Sequence, residues 1–283
     1  MHKIKAVVIA ATVVVAIAAV GTAVFLMPKS SLTEERLSGK LTIAGSTTLL
    51  PINEECRRLL MEKNPELRIS VSGGGSGHGI KAAGAGEIDI GAASRDIKSK
   101  EMEVYPDLKL VVIGKDSLAI VVHPNNPVNE LTMEEASKIF SGEINNWKEV
   151  GGEDAKIRVI TREGGSGTRE VFETYVMKRF GREIAGAASV KPSNGEVRAT
   201  VSGDKNSIGY VSLGFVDPSL KALKIDGVEA TVENVLSGDY PISRSLYLIT
   251  KGEPEQLEKA FIDYMLSEEG QKVVEDNGYI RVK

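Results

Sequence analysis

The apolar positions of this chain fall into short runs separated by loops of glycine, serine and threonine. Leu41-Thr42-Ile43-Ala44 reads as a strand and Gly45-Ser46-Thr47-Thr48 as a loop. Leu49 to Met61 then carries helical spacing that stops at Asn64-Pro65. Arg68-Ile69-Ser70-Val71 is a second strand, Gly73-Gly74-Gly75-Ser76-Gly77-His78-Gly79 a second loop, and Ile80 to Ala85 a short helix. Ile88 to Arg95 gives a third strand with a hydroxyl, Ser94, and an arginine at its end, and the same pattern returns over Ile157 to Phe180. Strand, small-residue loop and helix in alternation predict an α/β fold whose ligands gather beyond the carboxyl ends of the strands.

Two further runs set the organisation. Leu118 to Val122 is continuously apolar, as a buried strand is, and breaks at His123-Pro124-Asn125-Asn126-Pro127; Ser245 to Thr250 is a similar strand after Tyr240-Pro241. Read as paired crossovers, they divide the body into one lobe of residues 41–117 and 245–283 and another of 118–244. Ser46, Thr47, Thr48, Ser76 and Ser94 then belong to the first lobe and Arg162 to Thr168 to the second. Ahead of them, Ala6 to Met27 holds no charged residue and follows Lys3 and Lys5. Such a run spans a bilayer as a helix with its N-terminus in the cytoplasm, so an uncleaved anchor with Pro28 to Lys40 as tether is expected. Cleavage near Ala16-Ile17-Ala18 or Val20-Gly21-Thr22-Ala23 is the alternative, and leaves a secreted or periplasmic protein.

The chemistry concentrates in Thr161-Arg162-Glu163-Gly164-Gly165-Ser166-Gly167-Thr168-Arg169-Glu170. Glycines bring backbone close to a ligand, the following helix presents unpaired N–H groups, and Arg162, Ser166 and Thr168 add a planar cation and two hydroxyls. This is a seat for an oxyanion. The formal charge of −4 over 283 residues offers no general attraction to nucleic acid. A lone cysteine, Cys56, makes no internal disulfide, and His2, His78 and His123 lack metal-ligand spacing, so neither metal nor cofactor is expected. A serine hydrolase is a remote alternative, because neither Ser76 nor Ser166 completes Gly-x-Ser-x-Gly: His78 and Thr168 stand in the last position. No nucleotide-binding Gly-x-x-x-x-Gly-Lys motif occurs. Phe140, Ile144 and Trp147 read as core, and Asn194-Gly195-Glu196 as a helix start capped by Ser193 or Asn194.

In order and spacing, five segments resemble the phosphate-binding proteins of high-affinity phosphate ABC transporters, which have the type II periplasmic binding-protein fold. They are Ala44-Gly45-Ser46-Thr47-Thr48, Gly75-Ser76-Gly77-His78-Gly79-Ile80, Ile139 to Trp147, Arg162 to Thr168 and Leu266 to Gln271. The resemblance implies a monomeric, non-enzymatic receptor that captures inorganic phosphate outside the cytoplasm and delivers it to a permease. Thr47 and Thr48 would bind through hydroxyl and backbone N–H, Ser76 through its hydroxyl and a helix N-terminus, and Arg162, Ser166, Gly167 and Thr168 from the other lobe. Ser46, Gly77, Ser94 and Arg95 complete the candidate set. One departure stands out: enteric members carry an aspartate straight after the third-loop serine, where it accepts the proton of phosphate and so rejects sulfate. Here Arg95 follows Ser94, as in other members that look closer to this chain, and Asp96 comes after it. The acceptor is left open among Asp96, Glu163 and Glu196, and sulfate, molybdate or tungstate is the alternative ligand.

Overall fold

A computed structural model describes residues 36–282; the expected membrane segment and residues 28–35 of its tether lie outside them, while Gly39 and Lys40, expected as tether, open the first strand. Among the described residues no helix is long and apolar enough to cross a membrane. The chain runs β1 (Gly39–Gly45), α1 (Leu50–Lys63), β2 (Leu67–Gly74), α2 (Ser76–Ala85), β3 (Ile90–Ala93), α3 (Ser99–Val104) and β4 (Leu108–Val122). It continues through β5 (Glu130–Leu131), α4 (Met133–Ser141), β6 (Arg158–Arg162), α5 (Gly167–Phe172), β7 (Ser189–Lys191), α6 (Asn194–Ser202) and β8 (Ser207–Ser212). The last elements are β9 (Lys221–Ala222), β10 (Lys224–Ile225), α7 (Val232–Ser237), β11 (Ser243–Lys251), α8 (Gln256–Leu266) and α9 (Glu268–Asp276).

Local chemistry accounts for the boundaries. Pro51 sits in the first turn of α1, where its missing N–H costs nothing, and Asn64 closes that helix by donating both its backbone and side-chain N–H groups to Leu60 O. Thr132 and Glu135 form a reciprocal cap on α4. Ser193, rather than Asn194, caps α6 by accepting from Glu196 N at 3.0 Å. α2 begins at Ser76, inside the stretch expected as loop, and ends at Gly86, which takes the left-handed conformation at φ 74°.

The main sheet has the order β2-β1-β3-β11-β4-β8-β6-β7, with β9 added against β4. Parallel β1, β2 and β3 bring Gly45, Gly74 and Ala93 to one edge, and parallel β6 and β8 align their own carboxyl ends. β4 is far longer than its apolar tail suggests. It pairs antiparallel with β11 up to Ser117 and with β8 from Leu118 onward, so a single strand threads both halves of the molecule. The two largest hydrophobic cores lie on either side of this switch, with a smaller one of Ile80, Ala83, Ala93, Leu108 and Ile249 beneath α2. One gathers α1, α8 and α9 with β1–β3, including Ile52, Cys56, Phe261 and Leu248; the other holds Leu118 to Val122 with Phe140, Trp147, Phe172 and Tyr210. The architecture is a two-lobed mixed α/β fold. Burial pushes the Cys56 thiol up to about 12, which keeps it an inert core residue.

The second core is anchored by an aromatic trio. The Phe172 ring stacks on Tyr210 at 4.0 Å between centroids and meets Phe140 at 4.5 Å, tilted by 58°. Phe172 is fully buried, so Phe172→Ala should lower stability by about 3–5 kcal/mol in a denaturant titration. A loss below ~1 kcal/mol would mean that the core collapses onto the gap.

Candidate oxyanion site

The first core delivers a ring of hydroxyls to the sheet edge. Ser46 follows β1, Ser76 opens α2 and Ser94 follows β3. Ser46 Oγ donates to Ser94 Oγ at 2.8 Å, Ser94 N donates to Ser76 Oγ at 3.0 Å, and Thr48 N donates to Ser46 Oγ at 3.2 Å. These residues and Thr47 are buried. Loop and sheet pack this closely because Gly45, at φ 136°, has no side chain; a Cβ there would stand 2.3 Å from Ala92 O.

The second core supplies the opposing wall. Ser166 caps α5, its Oγ accepting from Arg169 N at 3.2 Å, and Gly167 begins the helix. Thr168 Oγ1 lies 3.3 Å from Thr48 Oγ1, and Gly77 N donates to Gly165 O at 2.9 Å. Asn194, at the start of α6, donates through Nδ2 to Thr48 Oγ1 at 3.0 Å and Thr47 Oγ1 at 3.4 Å, while its Oδ1 accepts from Ser212 N. Loops separated by more than a hundred residues therefore share one hydrogen-bonded network.

Arg162, the last residue of β6, is 1% exposed. Its Nε and Nη2 each donate to the Glu163 carboxylate at 2.8 Å, with Lys191 O and Pro192 O as further acceptors. Nη1 is buried and has no hydrogen-bond partner among the described residues. A buried cationic N–H group without an acceptor costs about 1–3 kcal/mol or more, so this nitrogen marks where an external acceptor is wanted. Beneath the strand end, the Tyr210 hydroxyl accepts from Arg162 N at 3.2 Å; burial pushes that phenol up to about 12, so it stays neutral.

Arg95 is engaged differently from the other candidates. Its fork meets both oxygens of Glu101 at 2.8 and 2.7 Å and also reaches Asp96 O, and its Nε lies 3.1 Å from Glu170 on α5. Lys98 Nζ joins Glu170 at 2.7 Å. This network crosses between the two walls as ion pairs. Burial alone would push the Glu101 carboxyl up, but the Arg95 fork, the Lys98 backbone N–H and the nearby positive charges hold it below the ordinary value. Of the three candidate proton acceptors, Asp96 is exposed and accepts from Tyr247 O–H, and Glu196 is exposed. Glu163 is half-buried against Arg162, and its Oε1 lies 3.3 Å from where a Cβ on Gly75 would stand.

One buried pair at the site carries no local sequence motif. Arg244 of β11 faces Asp116 of β4 in register, its Nε and Nη2 donating to Asp116 Oδ2 at 2.9 and 2.6 Å. The rest of its guanidinium reaches Ser94 O, Thr168 Oγ1 and Thr48 Oγ1 at 3.0–3.1 Å. A carboxylate and a guanidinium at the inner ends of the two crossover runs were the available signal. Among the described residues, neither Ser76 nor Ser166 hydrogen-bonds a histidine, and no cluster of His, Cys, Asp and Glu could hold a metal.

Comparison with known proteins agrees with this architecture. The pattern of the PBP superfamily domain matches residues 30–269. The Bacillus subtilis phosphate-binding protein PstS is 38% identical over 254 residues, covering 88% of this chain and 83% of that protein. The Borreliella burgdorferi phosphate-binding protein PstS is 32% identical, covering 86% and 90%. Among solved structures, a Clostridium perfringens chain described as a phosphate ABC transporter substrate-binding protein with bound phosphate superposes with a TM-score of 0.81. It is 41% identical over 87% of this chain and all of its own. A Vibrio cholerae ABC-type phosphate transport receptor gives 0.69 at 35% identity, covering 85% of this chain and 99% of that one. Fold, loop placement and sequence thus lead to one assignment: the chain belongs to the PBP superfamily, in the family of the PstS phosphate-binding proteins.

Proposed function

We propose that this protein captures inorganic phosphate outside the cytoplasm, without chemical change, and hands it to the permease of an ABC transporter. The observation that carries the reading is the buried Nη1 of Arg162, without a hydrogen-bond partner among the described residues, at the end of the strand that leads into Ser166, Gly167 and Thr168. Ser46, Thr47, Thr48, Ser76, Gly77 and Ser94 serve the anion from one lobe, residues 41–117 and 245–283. Arg162, Ser166, Gly167 and Thr168 serve it from the other, residues 118–244. Arg95 acts at the rim through its ion pairs, and Glu163 is the carboxylate placed to accept a phosphate proton. Closure of the lobes strips water from the ligand and replaces it with donors already fixed in position, which keeps dehydration tolerable.

At a ceiling of about −1.5 kcal/mol per heavy atom, the five atoms of phosphate allow about −7.5 kcal/mol, a micromolar dissociation constant that ion pairing can tighten. In the same reading the protein works as a monomer, and Ala6 to Met27 tethers it so that its local concentration beside the permease stays high. Isothermal titration against phosphate, sulfate, molybdate and tungstate tests the assignment. Phosphate should bind at micromolar affinity or tighter and the others at least about tenfold more weakly. Sulfate binding as well as phosphate would overturn the ligand assignment.

A further inference from the structure

We propose that Arg244, held by Asp116, is a positioning residue that, directly and through Thr48, makes the Thr168 hydroxyl an obligate donor toward the bound anion; the inference rests on the oxyanion reading of this site. A guanidinium has donors only, whereas a hydroxyl has one proton and two lone pairs. Thr48 Oγ1 accepts from Arg244 Nη2 at 3.0 Å and from Asn194 Nδ2 at 3.0 Å, so both lone pairs are taken and its proton must point away from them. The amide of Asn194 is fixed in that sense because its oxygen accepts from Ser212 N. Thr168 Oγ1 accepts from Arg244 Nη1 at 3.1 Å and lies 3.3 Å from Thr48 Oγ1. With its own lone pairs filled, Thr48 can only donate across that contact, so both lone pairs of Thr168 are taken in turn and Thr168 faces a ligand with hydrogen, never with a lone pair.

Arg244 is itself immobilised. Asp116 shares its Oδ2 between the guanidinium and Ser212 Oγ, and its Oδ1 accepts from Leu213 N at 3.3 Å. Side chains of the ion pair are 2% and 0% exposed. The remaining ionisable neighbour is Tyr279, which reaches Ser212 Oγ and donates to Thr48 O at 2.8 Å; burial pushes its phenol up, so it remains a neutral donor. From α5 and the loop after β3 the facing groups are the neutral Thr168 and Ser94 O.

A donor-only corner accepts a bare phosphate oxygen and rejects a P–OH group, which would set hydrogen against hydrogen. Wild-type affinity should therefore rise as phosphate passes from its monoanion to its dianion. Arg244→Met frees the threonines to rotate and accept. Titration calorimetry with inorganic phosphate, below and above the second ionisation, should show about a tenfold loss for the dianion, under about threefold for the monoanion, and a flattened pH ratio. The effect should also shrink when the same change is made in a Thr48→Val/Thr168→Val background, the non-additivity expected of a residue acting through those hydroxyls. If Arg244→Met does not fold, Asp116→Leu/Arg244→Met, which removes both buried charges together, carries the same measurement.

Equal losses at both pH values would mark a merely structural role and overturn the inference. So would an unchanged ratio, or a wild-type affinity that does not rise across the ionisation. Failure of the wild type to bind phosphate at all would instead sink the oxyanion reading itself.

Discussion

Arg162→Ala should weaken phosphate binding at least about tenfold, the loss of roughly 1.4 kcal/mol that one charged hydrogen bond supplies. The guanidinium is buried at the end of β6, two of its nitrogens are committed to Glu163, and the third has no acceptor among the described residues. Truncation removes that donor and leaves Glu163 half-buried without its partner, so a negative charge then faces an arriving anion. The second effect adds to the first and makes tenfold a lower bound. Arg162→Lys should recover only part of the affinity, because a point charge cannot hold both Glu163 oxygens and still reach the ligand. Calorimetric affinity unchanged in Arg162→Ala would refute the role given to this residue.

Gly167→Ala should separate binding from stability. Gly167 is the first residue of α5, where alanine is the better helix former, so the variant should be equally stable or up to about 1 kcal/mol more stable in a urea titration. A Cβ at this position would nevertheless lie 2.3 Å from Ser76 Oγ and 2.9 Å from Ser94 Oγ, both on the opposite wall. Ser76 cannot simply swing aside without releasing Ser94 N, which it accepts at 3.0 Å. Overpacking of this kind costs about 1–3 kcal/mol; with lobes that open when free and close on the ligand, as proposed, that cost falls on the closed form, so phosphate affinity should fall roughly ten- to hundredfold. Wild-type affinity in Gly167→Ala would show that the bound state does not need this close approach.

The elements that announced themselves were those with local signals. The Ser/Thr/Gly loops after β1 and β3 and at the start of α2 were visible because small polar residues there interrupt apolar runs, and the Arg162 to Thr168 segment because it combines strand, glycine, cation and helix. What stayed hidden depends on partners distant in sequence. β4 was recognised only over Leu118 to Val122, since Lys109, Gly114, Lys115 and Asp116 break the apolar pattern of its first part, whose Leu110 and Val112 remain partly exposed. Asp116 and Arg244 are 128 positions apart, and nothing local tells a buried ion pair from two surface charges. Asn194 has the local pattern of a helix start, although Ser193 does the capping and Asn194 reaches the threonines.

The pairing of Arg162 with Glu163, Arg95 with Glu101 and Glu170, and Arg244 with Asp116 leaves almost no net positive charge around the pocket. An anion approaching from solution is therefore not drawn in by a strong long-range field. Added salt, which screens exposed charges beyond about 8–10 Å, has little to weaken. Recognition is short-ranged, and the receptor is suited to fresh and saline surroundings alike.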